Sequence, residues 1–173
     1  MIGGDLVCLR PWRESDINFL GELRNDVAIQ SQLLSRVRGS SRVQIHDWIQ
    51  KFSSSIDRLF FVIARCQDDE PVGFVQVTEI DYIDRRGELG ICIGRQYQGR
   101  RYGTEAVSLI STYLAKHWNY RKLYLRVRSD NFRAYHLYLA SGFSECGRLK
   151  SHVFIEGHWH DVVVMELLFE GNN

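Results

Sequence analysis

The stretch Ile91–Ala106 restricts the fold of this chain more than any other part of the sequence. An apolar run that predicts a strand leads into a glycine-containing loop, and the loop leads directly into an amphipathic helix. The first N–H groups of a helix have no helical acceptor, and with the positive end of the helix dipole they form an anion site. Gly99 and Gly103 allow the backbone to approach a pyrophosphate closely, and Arg100 and Arg101 supply positive charge. On loop chemistry alone, a surface loop with two arginines in water is an equally good interpretation, because short glycine motifs are common by chance.

Hydrophobic periodicity places this stretch within an alternating series of strands and helices. Helices are predicted from Ser15 or Asp16, over Asp26–Leu34, from Ser41, over Tyr102–His117 and over Asn131–Ala140. The strands predicted around them are Leu6–Arg10, Leu59–Cys66, Val72–Tyr82, Gly87–Ile93, Lys122–Arg128, Ser144–Ile155 with a break near Gly147, and His158–Phe169. This order indicates a mixed α/β sheet with a meander in its first half and crossover helices in its second half. We expect one domain over residues 1–173 with a frayed tail at Glu170–Asn173.

Charge and hydropathy exclude several classes of function. The 22 lysines and arginines nearly balance the 21 acidic residues, so no overall field points to nucleic acid or to a membrane surface. No apolar run approaches the length of a membrane span, and no leader peptide with a cleavage site is evident. We therefore expect a cytoplasmic protein.

The four cysteines are expected to be buried free thiols. Cys8, Cys66, Cys92 and Cys146 lie far apart and form no C-x-x-C pair. Three of them lie in apolar runs that predict strands, which favours packed thiols in a reducing compartment.

Two motifs taken together resemble the GCN5-related N-acetyltransferase (GNAT) superfamily. Gln98-Gly99-x-x-x-Gly103 lies in the loop, and Asn131-x-x-Ala134-x-x-x-Tyr138-x-x-x-Gly142-Phe143 lies on the later helix. The resemblance covers the chain from about Leu59 to its end. Three further patterns are similar to the branch with spermidine, ribosomal-protein N-terminal and some nucleotide-sugar acetyltransferases: Glu79-Ile80, Arg85-Arg86-x-Glu88 and Phe154-Ile155-x-Gly157-x-x-x-x-Val162.

The resemblance implies the GNAT fold and acetyl-CoA as co-substrate, with no metal. The fold would be a mostly antiparallel sheet of about seven strands, splayed in the middle around acetyl-CoA, with acceptor-side helices in residues 1–58 and a cofactor-binding core in residues 59–169. The residues implied at the cofactor are Ile91, Cys92 and Ile93 for the pantetheine arm, the backbone of Gln98, Gly99, Arg100, Arg101, Tyr102, Gly103 and Thr104 for the pyrophosphate, and Asn131 and Ala134 on the far side. Arg101 stands where the family usually has glycine. If this position needs a positive φ, we expect weaker cofactor binding.

Acetyl transfer to an amine requires a base for the amine proton and an acid for the departing thiolate. We predict that Tyr138 is the acid, since it lies two helical turns after Asn131 on the same helix face. Without the double motif, a packing tyrosine would be the better interpretation. Glu88 is the first candidate for the base, and Glu79 is the second candidate and a substrate contact. A solvated carboxylate paired with Arg85 or Arg86 is an equally good interpretation of either residue.

The acceptor is predicted from the charge of the amino-terminal helices. Over residues 24–58, cationic residues outnumber acidic ones. The cationic residues are Arg24, Arg36, Arg38, Arg42, Lys51 and Arg58, and the acidic residues are Asp26, Asp47 and Asp57. A polyamine needs carboxylates to offset its desolvation, so this excess favours a neutral or anionic small-molecule amine such as an amino sugar on a nucleotide. A polyamine, a protein N-terminal amine and a catalytically inactive acetyl-CoA-binding module remain as alternatives, and a homo-oligomer is left open. His152, His158 and His160 cluster near the last turn, but we expect no metal there.

Overall fold

The computed structural model describes residues 1–169, which form eight strands and five α-helices. The predicted frayed tail, Glu170–Asn173, lies outside the described residues. The strands are β1 (Ile2–Gly3), β2 (Val7–Arg10), β3 (Leu59–Arg65), β4 (Pro71–Asp81), β5 (Arg86–Ile93), β6 (Lys122–Arg128), β7 (Ser144–Ile155) and β8 (His158–Leu168). The helices are α1 (Ile17–Asn25), α2 (Val27–Gln32), α3 (Arg42–Ser54), α4 (Tyr102–His117) and α5 (Phe132–Ala140).

All strands belong to one sheet in the order β1-β2-β3-β4-β5-β6-β8-β7. The additional strand, β1, has two residues, too few for a pattern of alternation to predict it. Because β1 and β2 pair with the rest of the sheet, residue 58 is not a boundary between acceptor helices and core. The break predicted near Gly147 is a shift of register between Glu145 and Gly147 within a continuous β7.

The sheet opens in its middle, between β5 and β6. These two strands are parallel and pair only at Arg86 with Lys122, Gly87 with Leu123 and Glu88 with Tyr124, whereas every other neighbouring pair among residues 1–169 is antiparallel. Beyond Glu88 the strands separate, while β4 continues to pair with β5 as far as Ile93 and β8 with β6 as far as Arg128. The splayed, mostly antiparallel sheet that the resemblance implied is therefore present.

Helices cover both faces of the sheet. On one face, α4 packs Val107, Ile110 and Leu114 against β-strand residues such as Val75 and Leu125. On the other face, α1, α2 and α3 pack around apolar residues of β3, β4 and β5: Ile17, Leu20, Leu23, Ile29, Ile45, Ile49, Phe60, Val62, Phe74 and Cys92. Successive strand residues alternate between the two faces, as the period of two predicts. None of the helices in residues 1–169 is both long and apolar enough to span a bilayer.

Side-chain caps confirm three of the predicted helix starts, of which Asn131 of α5 is described with the active site. Ser41 Oγ accepts a hydrogen bond from Gln44 N–H, and Gln44 Oε1 accepts one from Ser41 N–H at 2.8 Å. Asp26 Oδ1 accepts from Ile29 N–H at 3.0 Å.

The other candidate cap, Asp16, has a different role. It makes no cap hydrogen bond to α1. Instead it forms a buried ion pair with Arg10, with Nη1–Oδ2 at 2.8 Å. The pair anchors the start of α1 to β2.

Only two of the four cysteines are buried. Cys8 and Cys92 are buried free thiols, as expected, but Cys66 and Cys146 are exposed. The prediction was wrong for Cys66 because β3 ends at Arg65, and the thiol lies in the following turn. Cys146 lies at the register shift of β7, the last strand of the sheet.

Candidate active site

A cavity of about 1530 Å³ occupies the opening between β5 and β6 and extends toward α1, α2 and α3. All of the predicted site residues except Arg100 line it: Glu79, Glu88, Ile91, Cys92, Ile93, Gln98, Gly99, Arg101, Tyr102, Gly103, Thr104, Asn131, Ala134 and Tyr138. The fold thus brings the two sequence motifs together at one place. Arg100 is exposed and lies outside the lining.

The end of β5 forms one wall of the opening. Cys92 packs among the residues of α1 to α3, whereas Ile91 and Ile93 pack against the opposite core. Burial, and to a lesser extent the charge of Asp26, raises the pKa of the Cys92 thiol to about 12. This thiol therefore stays protonated near neutral pH and is a packing group, not a nucleophile.

The start of α4 presents unpaired backbone donors to the cavity. The first hydrogen bond of the helix runs from Glu105 N–H to Arg101 O at 3.0 Å, so the N–H groups of Tyr102, Gly103 and Thr104 have no helical acceptor. Gly99 has a φ of +79°, a conformation that side chains other than glycine rarely adopt. This geometry is an anion site of the kind predicted from the loop chemistry.

Arg101 has a positive φ of 64°, with ψ at 2°. The left-handed conformation is therefore the one this position needs, although an arginine occupies it. A Cβ in this region carries a conformational cost of ~1–2 kcal/mol. The condition stated for weaker cofactor binding, a positive φ at Arg101, is therefore met, and the weaker binding stays a prediction.

Gly103 lies where α5 crosses the start of α4 closely. A Cβ placed on Gly103 would lie 2.7 Å from Leu137 Cδ1 on α5 and 3.6 Å from Ile93 Cγ1. A side chain here would therefore push the end of the Leu137 side chain aside. The position therefore couples the phosphate loop to the helix that bears Tyr138.

Helix α5 directs Asn131 and Tyr138 into the cavity. Asn131 Oδ1 caps the helix by accepting from Ala134 N–H at 3.2 Å, which leaves its amide N–H groups for a ligand. The Tyr138 side chain is 6% exposed and packs against Phe143, and its hydroxyl has no hydrogen-bond partner among residues 1–169. Burial raises the pKa of Tyr138 above its ordinary value, so the phenol keeps its proton.

Two carboxylates, Glu79 and Glu88, line the cavity in different environments. Glu88 accepts two hydrogen bonds from Arg126, at 2.7 Å and 3.0 Å. Glu79 accepts a hydrogen bond from the Tyr124 hydroxyl and forms no ion pair among residues 1–169. It has a positive φ of 51°, in the register shift of β4 between Thr78 and Asp81. Neither carboxylate pairs with Arg86, which contacts Asp81 and Asp84.

Sequence reasoning did not identify Arg126 or Arg24 as cavity residues. Arg126 lies on the same polar face of β6 as Tyr124, and both line one face because the strand alternates apolar and polar residues. This alternation could have indicated Arg126 from the sequence. Arg24 lies 4.5 Å above the ring of Trp48, and both line the acceptor side of the cavity. No pattern within one element could reveal that contact.

The histidines near the last turn have different surroundings. His160 Nδ1 lies 3.1 Å from Asp130 Oδ2, and His152 lines the cavity. Within residues 1–169, no group of three histidine, cysteine or acidic side chains has a geometry that could hold a metal ion.

Comparisons with known proteins agree with this geometry. The chain matches the family described as "Acetyltransferase (GNAT) domain" over residues 7–144. It is 31% identical to spermidine N(1)-acetyltransferase of Escherichia coli K12 over 92% of this chain and 84% of that protein. It is 30% identical to the Vibrio cholerae spermidine N(1)-acetyltransferase over 92% of this chain and 91% of that protein. A crystal structure of the V. cholerae spermidine N-acetyltransferase in complex with CoA and spermine superposes with a TM-score of 0.90, at 28% identity, over 98% of this chain and 99% of that one.

The residues present here fit acetyl-CoA. The free N–H groups of the first turn of α4 suit a pyrophosphate, the gap beyond Glu88 suits an extended arm, and the Tyr138 hydroxyl is available to a ligand. The chain therefore belongs to the GNAT family and is an N-acetyltransferase that uses acetyl-CoA.

Proposed function

We propose that this enzyme acetylates a primary amine of a small polyamine, of which spermidine is the first candidate. The observation that supports this most strongly is the agreement over nearly the whole chain with spermidine acetyltransferases, including a fold superposition at TM-score 0.90. The cavity is also large enough for both a donor arm and an acceptor, since it runs from the start of α4 to α1, α2 and α3.

Glu79 is the carboxylate best suited to receive the substrate ammonium. It lines the cavity and is exposed, and no lysine or arginine among residues 1–169 forms an ion pair with it. An alkylammonium that leaves water is stabilised by a carboxylate that is not already held in an ion pair. The positive φ of Glu79 holds this side chain at the bulge, a type of strain that concentrates at functional sites.

In the proposed reaction, Glu88 accepts the proton of the amine and Tyr138 donates a proton to the thiolate. Most alkylamine molecules arrive protonated, because the pKa of an alkylammonium is near ~10.4. Glu88 takes that proton, directly or through water, and Arg126 keeps the carboxylate aimed into the gap. Tyr138 keeps its phenolic proton until the thiolate departs and then donates it. Acetyl-CoA supplies the acetyl group and the leaving thiol.

An amino sugar on a nucleotide, the acceptor expected from the sequence, is the second candidate. Arg24 on the acceptor side has no carboxylate partner among the described residues. Of the carboxylates in residues 1–58, only Asp57 lines the cavity, and it lies 3.8 Å from Arg58. This charge pattern favours an anionic acceptor, but the relatives support the polyamine more strongly.

An acceptor panel with release of free thiol as readout tests the proposal. Spermidine, spermine, a nucleotide-linked amino sugar and a short peptide with a free N-terminus are compared at equal concentration. We expect the largest kcat/KM for a polyamine. A larger value for the amino sugar or the peptide would contradict the proposed acceptor, and donor binding without turnover of any amine would favour an inactive binding module.

A further inference from the structure

A smaller pocket of about 380 Å³ lies beside the acceptor side of the large cavity. It is formed by α1, α2 and the loop before α3, and its lining consists of Arg24, Gln30, Ser35, Arg36, Arg38 and Ser40. We refer to it as the arginine pocket. Every residue of the lining is polar, and the three charged ones are all cationic.

The positive charge of the arginine pocket is not neutralised by the protein. Among residues 1–169, no ion pair involves Arg24, Arg36 or Arg38, although Arg10, Arg65 and eight other arginines have carboxylate partners. Arg36 Nη2 donates to the carbonyl oxygen of Phe154 at 2.9 Å, a neutral acceptor. Burial lowers the pKa of Arg24, and the nearby positive charge of Arg38 lowers it further.

Several contacts hold the lining in place before any ligand arrives. The Arg24 guanidinium lies 4.5 Å above the Trp48 ring, and its Nε lies 3.4 Å from Ser40 Oγ. Gln30 is buried, donates from Nε2 to Leu23 O at 2.9 Å and accepts from the Ser35 hydroxyl. The groups that these contacts hold in place, those of Arg24, Gln30, Ser35 and Ser40, lose less entropy when a ligand binds.

We propose that the arginine pocket binds the phosphate group of a small molecule. Three guanidinium groups and the Ser40 hydroxyl offer more donors than the two oxygens of a carboxylate can accept, whereas a phosphate has three or four acceptor oxygens. The volume suits a phosphate with a small substituent.

The phosphate can come from two sources. The arginine pocket shares Arg24, Gln30 and Ser35 with the large cavity, so a phosphate on the acceptor itself could reach it. A separate phosphate compound could also bind there and alter acetylation of another amine. The binding step is independent of the proposed acceptor, and only the choice between these sources rests on the proposed function.

Binding of inorganic phosphate to protein saturated with coenzyme A tests the proposal, because coenzyme A fills the anion site of the loop. Isothermal titration at matched ionic strength compares the wild type with Arg38→Gln and with Arg42→Gln. Arg42 is a matched control, since it lies close in the chain and is exposed but pairs with Glu14 at 3.6 Å outside the pocket. We expect Arg38→Gln to weaken phosphate binding at least about tenfold and Arg42→Gln to leave it unchanged. No binding beyond the effect of ionic strength, or an equal loss in both variants, overturns the proposal.

Initial rates then identify the source of the phosphate. Turnover of O-phosphoethanolamine, with a KM that Arg38→Gln raises, assigns the phosphate to the acceptor. A change in spermidine turnover on addition of phosphate, lost in Arg38→Gln, assigns it to a separate effector. Phosphate binding without either kinetic effect overturns any link to acetyl transfer. If no amine is acetylated, the proposed function fails, while the titration still decides whether the pocket binds phosphate.

Discussion

Arg126 holds the Glu88 carboxylate by two parallel hydrogen bonds, Nε to Oε1 at 2.7 Å and Nη2 to Oε2 at 3.0 Å. Glu88 is the last residue of β5 that pairs with β6, and Arg126 lies two residues beyond its partner Tyr124. The pair therefore spans the two strands at the point where they separate. A carboxylate in this position can act as a base or can simply tie the strands together, and the two roles predict different kinetics.

We expect Glu88→Gln to lower kcat about 100-fold with little change in the KM of the amine, because a base acts in the transition state. Glu79→Gln should instead raise the KM of the amine, about tenfold, because it removes a charge that binds the ammonium. Steady-state rates with the best acceptor measure both. Arg126→Gln is the control for a tie between strands: if Glu88→Gln lowers the free energy of unfolding as much as Arg126→Gln does and leaves kcat unchanged, Glu88 is not the base.

Tyr138→Phe should lower kcat by about 100-fold or more and leave stability almost unchanged, because the hydroxyl has no partner in residues 1–169. Tyr135→Phe is the matched control, since Tyr135 lies on the same helix but donates to Glu145 at 3.2 Å. Equal rates for wild type and Tyr138→Phe would contradict the assignment of the acid.

The pH dependence follows from the raised pKa of Tyr138. Its phenol stays protonated above its ordinary value of about 10, so we expect no loss of kcat/KM from ionisation of Tyr138 at any pH up to about 10. The folded state also holds this proton more tightly than the unfolded chain. Its contribution to stability is therefore complete below about pH 10 and is lost as the pH rises through the folded pKa. Urea unfolding at pH 8 and pH 11 should show a smaller loss in Tyr138→Phe than in the wild type.

Arg101→Gly should increase the free energy of unfolding by up to about 1 kcal/mol. Glycine removes the left-handed penalty of ~1–2 kcal/mol, but it also adds entropy to the unfolded chain. Arg101→Ala is the control, because it removes the same charge and keeps the Cβ at a φ of 64°. Urea unfolding of the free protein measures both, and equal stabilities of the two variants would refute strain at this position.

Gly103→Ala should lower the free energy of unfolding by up to about 1 kcal/mol and raise the KM of acetyl-CoA, because the new Cβ would push Leu137 Cδ1 aside from a distance of 2.7 Å, while the better helix propensity of alanine offsets part of the cost. Leu137→Ala removes the opposing methyl groups. The double variant should therefore be more stable than the sum of the two single changes predicts, by about 1 kcal/mol. Strict additivity in the denaturation data would mean that the close approach of α5 is not what requires glycine.

Local patterns predicted much of the fold and of the cavity lining. Alternation identified every strand except the two-residue β1, and the loop motif together with the Asn131–Tyr138 spacing predicted two walls of one cavity. The partner of Glu88 could not be predicted, because Arg126 lies 38 residues away in the chain and meets it only through the parallel register of β5 and β6.

The sequence also did not predict the backbone conformation of Arg101 or the close packing at Gly103. The left-handed angle of Arg101 contradicts the preference of its residue type, and so only the structure reveals it. The role of Gly103 depends on where α5 crosses α4, which no local pattern specifies.

The separation of β5 from β6 has a consequence for the protein without its donor. An open sheet has two edges, but this sheet has four, because residues 89–93 of β5 and 125–128 of β6 do not pair with each other across the gap. Such inner edges are templates for any extended chain. We expect the pantetheine arm of the donor to fill the gap as an additional strand would. When acetyl-CoA is depleted in the cell, a foreign peptide strand could therefore pair with the inner edges instead.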